Sequence, residues 1–137
     1  MIPTGVSRGS YVLLLHLPEA QTLQIGRLGE LYFRDGYYAY VGSAMRGIMA
    51  RMKHYRQGAR RSFWHIDYLL QKASIVDVFV VASEKRWECR MAEELHRGIE
   101  AVPGFGKTDC ACPSHLFFMV SKEPLRDKLK QIFRAAD

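Results

Sequence analysis

Two ionisable side chains stand where the helical periodicity of this chain calls for apolar ones. Ile48, Arg51, Met52 and Tyr55 follow the i, i+3, i+4, i+7 spacing of one helix face, which aims a guanidinium inward with its apolar neighbours. Glu88, Met91, Ala92 and Leu95 repeat the pattern with a carboxylate, while Glu93 and Glu94 fall off that face and should be solvated. An unpaired buried charge costs several kcal/mol, so each group needs a counter-charge. One solution is an ion pair between the two. The other puts a divalent metal on the carboxylate and a phosphate oxygen on the guanidinium. A single protein carboxylate, completed by substrate oxygens and water, is a usual way to hold Mg²⁺. The spacing leaves both open.

Other chemistry-bearing residues are more ambiguous. Tyr11, Tyr37, Tyr38 and Tyr40 suit strand and core positions, with Tyr38 and Tyr40 on one strand face and Tyr37 on the other. A tyrosine hydroxyl transfers a proton when a cation or metal lowers its pKa from about 10. Residues 109–115, Asp-Cys-Ala-Cys-Pro-Ser-His, place two thiols and an imidazole close together. With Cys89 they form a candidate zinc set of Cys89, Cys110, Cys112 and His115, although C-x-C lacks the usual two-residue gap. A loop packed against a site, with Asp109 or His115 supplying hydrogen bonds, is the competing reading. Ala101 to Thr108, AVPGFGKT, imitates a phosphate-binding loop, but its first glycine is alanine and it follows a helix, so it is a decoy. His65 and Asp67, two apart on a helix, do not face together, and His65 reads as structural.

Charge is distributed unevenly. The net charge is +6, and no acidic residue occurs between Asp35 and Asp67. That gap holds Arg46, Arg51, Lys53, Arg56, Arg60 and Arg61, whereas the other 14 Lys and Arg are matched in number by the 14 acids. The excess therefore sits on and just after one helix, where a local positive field attracts phosphate. A nucleic acid is the expected partner.

The elements that must position these groups follow from the punctuation of the chain. Tyr11 to Leu17 is apolar enough to be a strand buried on both faces. Thr22 to Leu28 and Glu30 to Arg34 read as short strands, and Asp35-Gly36 as a hairpin turn into a strand over Tyr37 to Val41. The first third is thus expected to be an antiparallel meander. Gly42-Ser43 should break the strand before a helix over Ala44 to Arg56 that Gly58 ends. A second helix is predicted over Phe63 to Lys72 with Ser62 as its cap, then a strand over Ile75 to Ala82. Ser83 should cap a helix reaching about Arg97, and residues 103–114 should form an irregular loop. A last strand over Leu116 to Val120 and a helix over Leu125 to Ala135, with Pro124 in its first turn, complete the chain.

The class implied is α+β, a single domain over residues 1–137. The composition, 48% hydrophobic and 25% charged, is that of a globular protein. Tyr11 to Leu15 is too short to span a bilayer, and His16 and Pro18 interrupt it too early for a signal peptide, so no membrane partner is expected. Three cysteines do not suggest a disulfide framework, which makes the cytoplasm the expected compartment.

Gly9-Ser10-Tyr11 and Tyr40-Val41-Gly42, followed by Arg51 and His54 and then by Glu88, resemble the GIY-YIG nuclease superfamily. More closely, DGYYAYVGSA, WHIDYLL, the start of ECRMA, and PGFGKTDCACPSHL resemble its uncharacterised GIY-YIG-like branch that is sometimes fused to endonuclease III. The resemblance covers nearly the whole chain. It implies a small antiparallel sheet flanked by helices that cleaves a phosphodiester with Mg²⁺ or Mn²⁺. By this resemblance Tyr11 and Tyr40 match the motif tyrosines, Arg51 the arginine and Glu88 the metal-binding glutamate, with Glu93 as the other alignment of that glutamate. A tyrosine or a metal-bound water would prepare the attacking hydroxide, Arg51 would offset charge on the phosphate, and His54 would assist proton transfer or hold a phosphate. Arg46, Lys53, Arg56, Arg60 and Arg61 would contact the nucleic acid. Ser10 departs from the isoleucine usual in the first motif, and an extra hairpin separates the two motifs.

The expected function is that of a divalent-metal-dependent endonuclease acting on DNA, in repair. Two other classes share the basic surface: a non-catalytic nucleic-acid-binding module with this fold, and a zinc-stabilised adaptor that meets a repair protein.

Overall fold

The apolar run at residues 11–15 can sit only where both of its faces are covered, and it lies within an interior strand, β1 (Gly9–Leu17). The computed structural model describes residues 8–56, 64–83, 85–106 and 112–136. After β1 come β2 (Gln21–Gln24), a 3-10 turn (Gly26–Leu28), β3 (Glu30–Phe33) and β4 (Gly36–Ala44). Then follow α1 (Ile48–Arg56), α2 (His65–Leu69), β5 (Ser74–Ala82), α3 (Glu88–His96), β6 (Glu100–Ala101), β7 (Leu116–Met119) and α4 (Lys122–Ala136). The main sheet is antiparallel in the order β5-β1-β4-β7-β6, and β2 and β3 pair apart from it. This is an α+β fold, a small antiparallel sheet flanked by helices.

Alternation along β1 divides the core. Tyr11, Leu13 and Leu15 join Tyr38 and Tyr40 of β4 under Ile48, Met52 and Tyr55 of α1 and Ile66 and Leu69 of α2. Val12 and Leu14, with Ala39 and Val41, meet Met91, Ala92 and Leu95 of α3 and Leu125, Leu129 and Ile132 of α4. Arg51 and Glu88 are therefore carried by helices on opposite faces of the sheet.

Several sequence expectations are corrected. The meander does not form: β1 pairs with β4 and β5, and β2–β3 is an excursion packed over the first core by Ile25 and Phe33. Asp35-Gly36 is accordingly not a hairpin turn, because the strands on either side of it belong to different sheets. The segment over Thr22 to Leu28 is strand only to Gln24, then turns through Gly26, whose φ is 47°. Gly42-Ser43 does not break β4, which runs to Ala44 because it is in register with β1 from Gly36↔Leu17 to Ala44↔Gly9. The following helix therefore starts later, at Ile48. Ser83 does not cap α3; its hydroxyl accepts from the Lys85 N–H at 3.0 Å in a local turn. The short β6 pairs with β7 inside the stretch expected to lead into a loop. Gly58, Ser62 and Phe63 lie outside the described residues.

Candidate functional site

The end of β4 forms the floor of a cleft of about 440 Å³, lined there by Tyr40, Gly42 and Ser43. Arg46 reaches it from the turn after β4, Arg51 from α1, and Trp64 and His65 from the start of α2. Arg86, Glu88 and Cys89 enter from the first turn of α3 and the residues before it, and Gly106 and His115 from the chain flanking β7. Helices from both faces of the sheet thus converge at one end of it.

Each principal side chain is held. The Arg51 guanidinium lies 4.2 Å from the centre of the Trp64 ring, and its Nη1 donates to Tyr11 Oη at 3.0 Å. Tyr11 is fully buried, and its hydroxyl shares a hydrogen bond of 2.5 Å with that of Tyr55. Burial pushes the Tyr11 phenol above its ordinary pKa, against the pull of the nearby Arg51. Burial likewise holds Tyr40 and Tyr55 well above the ordinary phenol range. Gly42 lies opposite Tyr11 in the β1–β4 register, and a side chain there would meet the phenol ring. A glycine is needed at position 42 for space.

Glu88 is not paired with Arg51. Its carboxylate lies 3.6 Å from Arg86 Nη1 and 3.7 Å from His115 Nδ1, both beyond close hydrogen bonding. The segment that delivers it is fixed by Ser10, a fully buried residue whose hydroxyl accepts from the Trp87 N–H at 2.8 Å. Ser10 thereby satisfies a backbone donor just before the first turn of α3. Burial lowers the His115 pKa, opposed by Glu88 and by a hydrogen bond to the Gly106 backbone. His65 is also lowered by burial, and its Nδ1 accepts from the Gly106 N–H at 2.9 Å.

The remaining sequence candidates are spread out. His54 is not among the residues that line the cleft; its Nε2 meets Asp67 Oδ1 at 2.8 Å, and Asp67 also accepts from the Trp64 N–H at 2.9 Å. The buried Asp67 thus ties α1 to the start of α2. Lys53 is exposed on α1, and Arg56 lines a different pocket, against Met52, Ile75 and Asp77. Of the five proposed nucleic-acid contacts, the structure brings Arg46 to the cleft, while Arg60 and Arg61 lie outside the described residues. Arg86 and Trp64 join the site without a sequence signal of their own, and Tyr55, placed on the inward helix face by its spacing, joins it as the partner of Tyr11. Tyr55 follows Arg51 by four positions on the inward face, which is the signal that was available.

Cys89, Cys112 and His115 form a separate cluster in the wall of the cleft. One ligand atom from each lies within 4.8 Å of the others, so the three form a group capable of holding a metal ion. Cys110 and Asp109 are outside the described residues. The phosphate-loop imitation is no such loop: Phe105 is buried in the core, and Gly104 and Gly106 turn with positive φ.

Residues 10–137 match the family described as "Domain of unknown function DUF123". The chain belongs to the DUF123 family. No curated protein and no solved structure matches it. Among its described residues, no helix is long and apolar enough to cross a membrane.

Proposed function

We propose that this DUF123 domain is a nucleic-acid-binding module on a GIY-YIG-like scaffold, which takes the phosphodiester backbone of DNA into the cleft. The observation that carries the reading is the convergence of three guanidiniums, Arg46, Arg51 and Arg86, on a cleft in which Glu88 is the one acid among the described residues. A concave surface with that excess of positive charge concentrates phosphate. Arg51 is already oriented by Tyr11 and Trp64, so less side-chain freedom is lost when an anion arrives. Repair is the context and the cytoplasm the compartment that this reading implies.

Fluorescence anisotropy with single-stranded, duplex and branched DNA across a salt series tests it. Arg51→Ala and Arg46→Ala should each weaken duplex binding, and each lost phosphate contact should flatten the log–log salt slope by about 0.9. Absence of binding at low salt, or slopes unchanged in both variants, sinks the proposal.

A second reading, a divalent-metal-dependent endonuclease, is favoured by the position of Glu88 in the same cleft as Arg51 without an ion pair between them. The Glu88 side chain is 19% exposed, and its neighbours stand 3.6 and 3.7 Å away, so its oxygens retain lone pairs for Mg²⁺ or Mn²⁺. Bound there, the ion would supply Lewis-acid stabilisation of charge on a phosphoryl oxygen. Arg51 would offset charge on the phosphate, and Tyr11 and Tyr40 would hold its surroundings. Cleavage of oligonucleotides in Mg²⁺ or Mn²⁺, lost in Arg51→Ala and in Glu88→Gln with binding kept in the latter, selects the enzyme. Binding without cleavage under either metal selects the module.

A further inference from the structure

The three guanidiniums that would attract phosphate do not draw on the cluster of Cys89, Cys112 and His115, whose donor set is selective. Two thiols and an imidazole are soft-to-borderline ligands, which suit Zn²⁺ and not the oxygen-seeking Mg²⁺ or Mn²⁺. We propose that these three side chains bind a Zn²⁺ ion that ties the first turn of α3 to the chain entering β7. The inference is independent of whether the cleft binds DNA.

Geometry supports it. Tetrahedral zinc with Zn–S of about 2.3 Å and Zn–N of about 2.0 Å separates its ligand atoms by roughly 3.5–3.8 Å. The three ligand atoms already lie within 4.8 Å of one another, so closure requires movements of about an ångström. Side-chain rotation covers that distance. The backbone positions are set in advance: the His115 N–H donates to Phe105 O at 2.8 Å and its carbonyl accepts from the Val41 N–H at 2.9 Å. Cys89 is fixed by the start of α3, whose preceding N–H is bonded to Ser10.

Two half-buried cysteines packed as small apolar groups are the bland alternative. That alternative does not require an imidazole beside them or an open approach, whereas Cys89 and His115 both face the cleft, from which an ion can enter. The Cys112 thiol already approaches the segment of Cys89, with its Sγ donating to the Cys89 carbonyl at 3.9 Å. A metal held by all three would add a cross-link between the two segments that carry them. It would also steady Glu88, which precedes Cys89 in the chain and lies 3.7 Å from His115.

The test uses the full chain, purified without an affinity metal and analysed by elemental mass spectrometry. About one zinc per chain is expected, and Cys89→Ser or His115→Gln should lose it. To separate loss of zinc from misfolding of the variants, chelator-stripped parent protein is titrated with Zn²⁺ and with Co²⁺. Zinc should restore a melting temperature lowered by roughly 10 °C on stripping. Cobalt should give thiolate-to-metal charge-transfer bands and the visible bands of a tetrahedral ion. Substoichiometric zinc, together with no binding on titration and an unchanged melting temperature, overturns the proposal. Zinc-loaded protein that fails to bind DNA would instead overturn the nucleic-acid reading and leave this one standing.

Discussion

Gly42→Ala should disturb the cleft from beneath by one methyl group. A Cβ at Gly42 would stand 2.5 Å from Tyr11 Oη and 2.6 Å from Cζ, about 0.9 Å inside ordinary contact at 3.4 Å. The clash is with a ring and not with a flexible tip, and Tyr11 is fully buried in an interior strand, so retreat is blocked. Overpacking of this kind costs about 1–3 kcal/mol, and a displaced phenol also risks its hydrogen bonds, each worth about 0.5–1.5 kcal/mol. A total of roughly 2–4 kcal/mol corresponds to a fall in melting temperature on the order of 6–15 °C for a chain of this size. The same displacement lengthens the 3.0 Å bond from Arg51 to Tyr11, so DNA affinity should fall with stability. Thermal melts and anisotropy titrations below the melting transition measure the two effects separately. Gly98→Ala is the control, because a Cβ there would meet nothing within 4 Å. If Gly42→Ala melts and binds like Gly98→Ala, the steric account of the Tyr-Val-Gly segment is wrong.

Two further outcomes follow from the same contacts. Ser10→Ala should cost about 1–2 kcal/mol by leaving the Trp87 N–H without its acceptor, read as a lower urea midpoint at unchanged m. Ser10→Thr, which keeps a hydroxyl, should recover part of that loss. His65 should make the protein sensitive to mild acid. Burial depresses its folded pKa below 6.5, so its stabilisation is complete above pH 6.5 and declines as pH falls from there through the folded value. Protonation also removes the Nδ1 acceptor used by Gly106. His65→Gln should flatten this part of the pH–stability curve, and an equal slope in the variant would assign the sensitivity to other groups.

The local signals that carried furthest were those set by periodicity. The unbroken apolar run of β1 and the apolar faces of α1 and α3 needed only the spacing of buried side chains, and Ile48, Met52, Met91, Ala92 and Leu95 are buried as that spacing requires. Pairing was harder to read. Asp35-Gly36 has hairpin chemistry, but which strands adjoin is decided by long-range register, and β1 bonds along its length to β4 instead. Gly42 was misread for a related reason. A glycine in a strand signals either a break or a close approach, and only the cross-strand neighbour Tyr11 tells them apart. Within the cleft, Arg51 and Glu88 were visible as charges on apolar faces. Arg86 was not, because it precedes α3 and belongs to no periodic face. The grouping of Cys89, Cys112 and His115 was readable from residue type as a candidate set, and the fold brings its two segments together, with Cys89 and Cys112 23 residues apart.

The buried tyrosines constrain how this cleft can work. A phenol acts as a base at neutral pH only when cations outweigh the cost of burying its charge. Around Tyr11 the balance runs the other way, since burial raises its pKa although Arg51 Nη1 is 3.0 Å from the oxygen. Tyr40 is raised as well, with the charges of Tyr11 and Glu88 adding to the effect of burial and Arg51 opposing it. Both hydroxyls therefore keep their protons in the free protein at neutral pH, and Tyr11 serves there as a fixed acceptor for the guanidinium. A free arginine side chain carries about 2 kcal/mol of rotamer entropy, whereas Arg51, bonded to Tyr11 and stacked on Trp64, has lost much of it before any ligand binds. That preorganisation aids phosphate binding whether or not a bond is later broken. The tyrosine–arginine unit would thus serve a binding module and a nuclease alike, and a variant at Glu88, on α3, is the one that would tell the two readings apart.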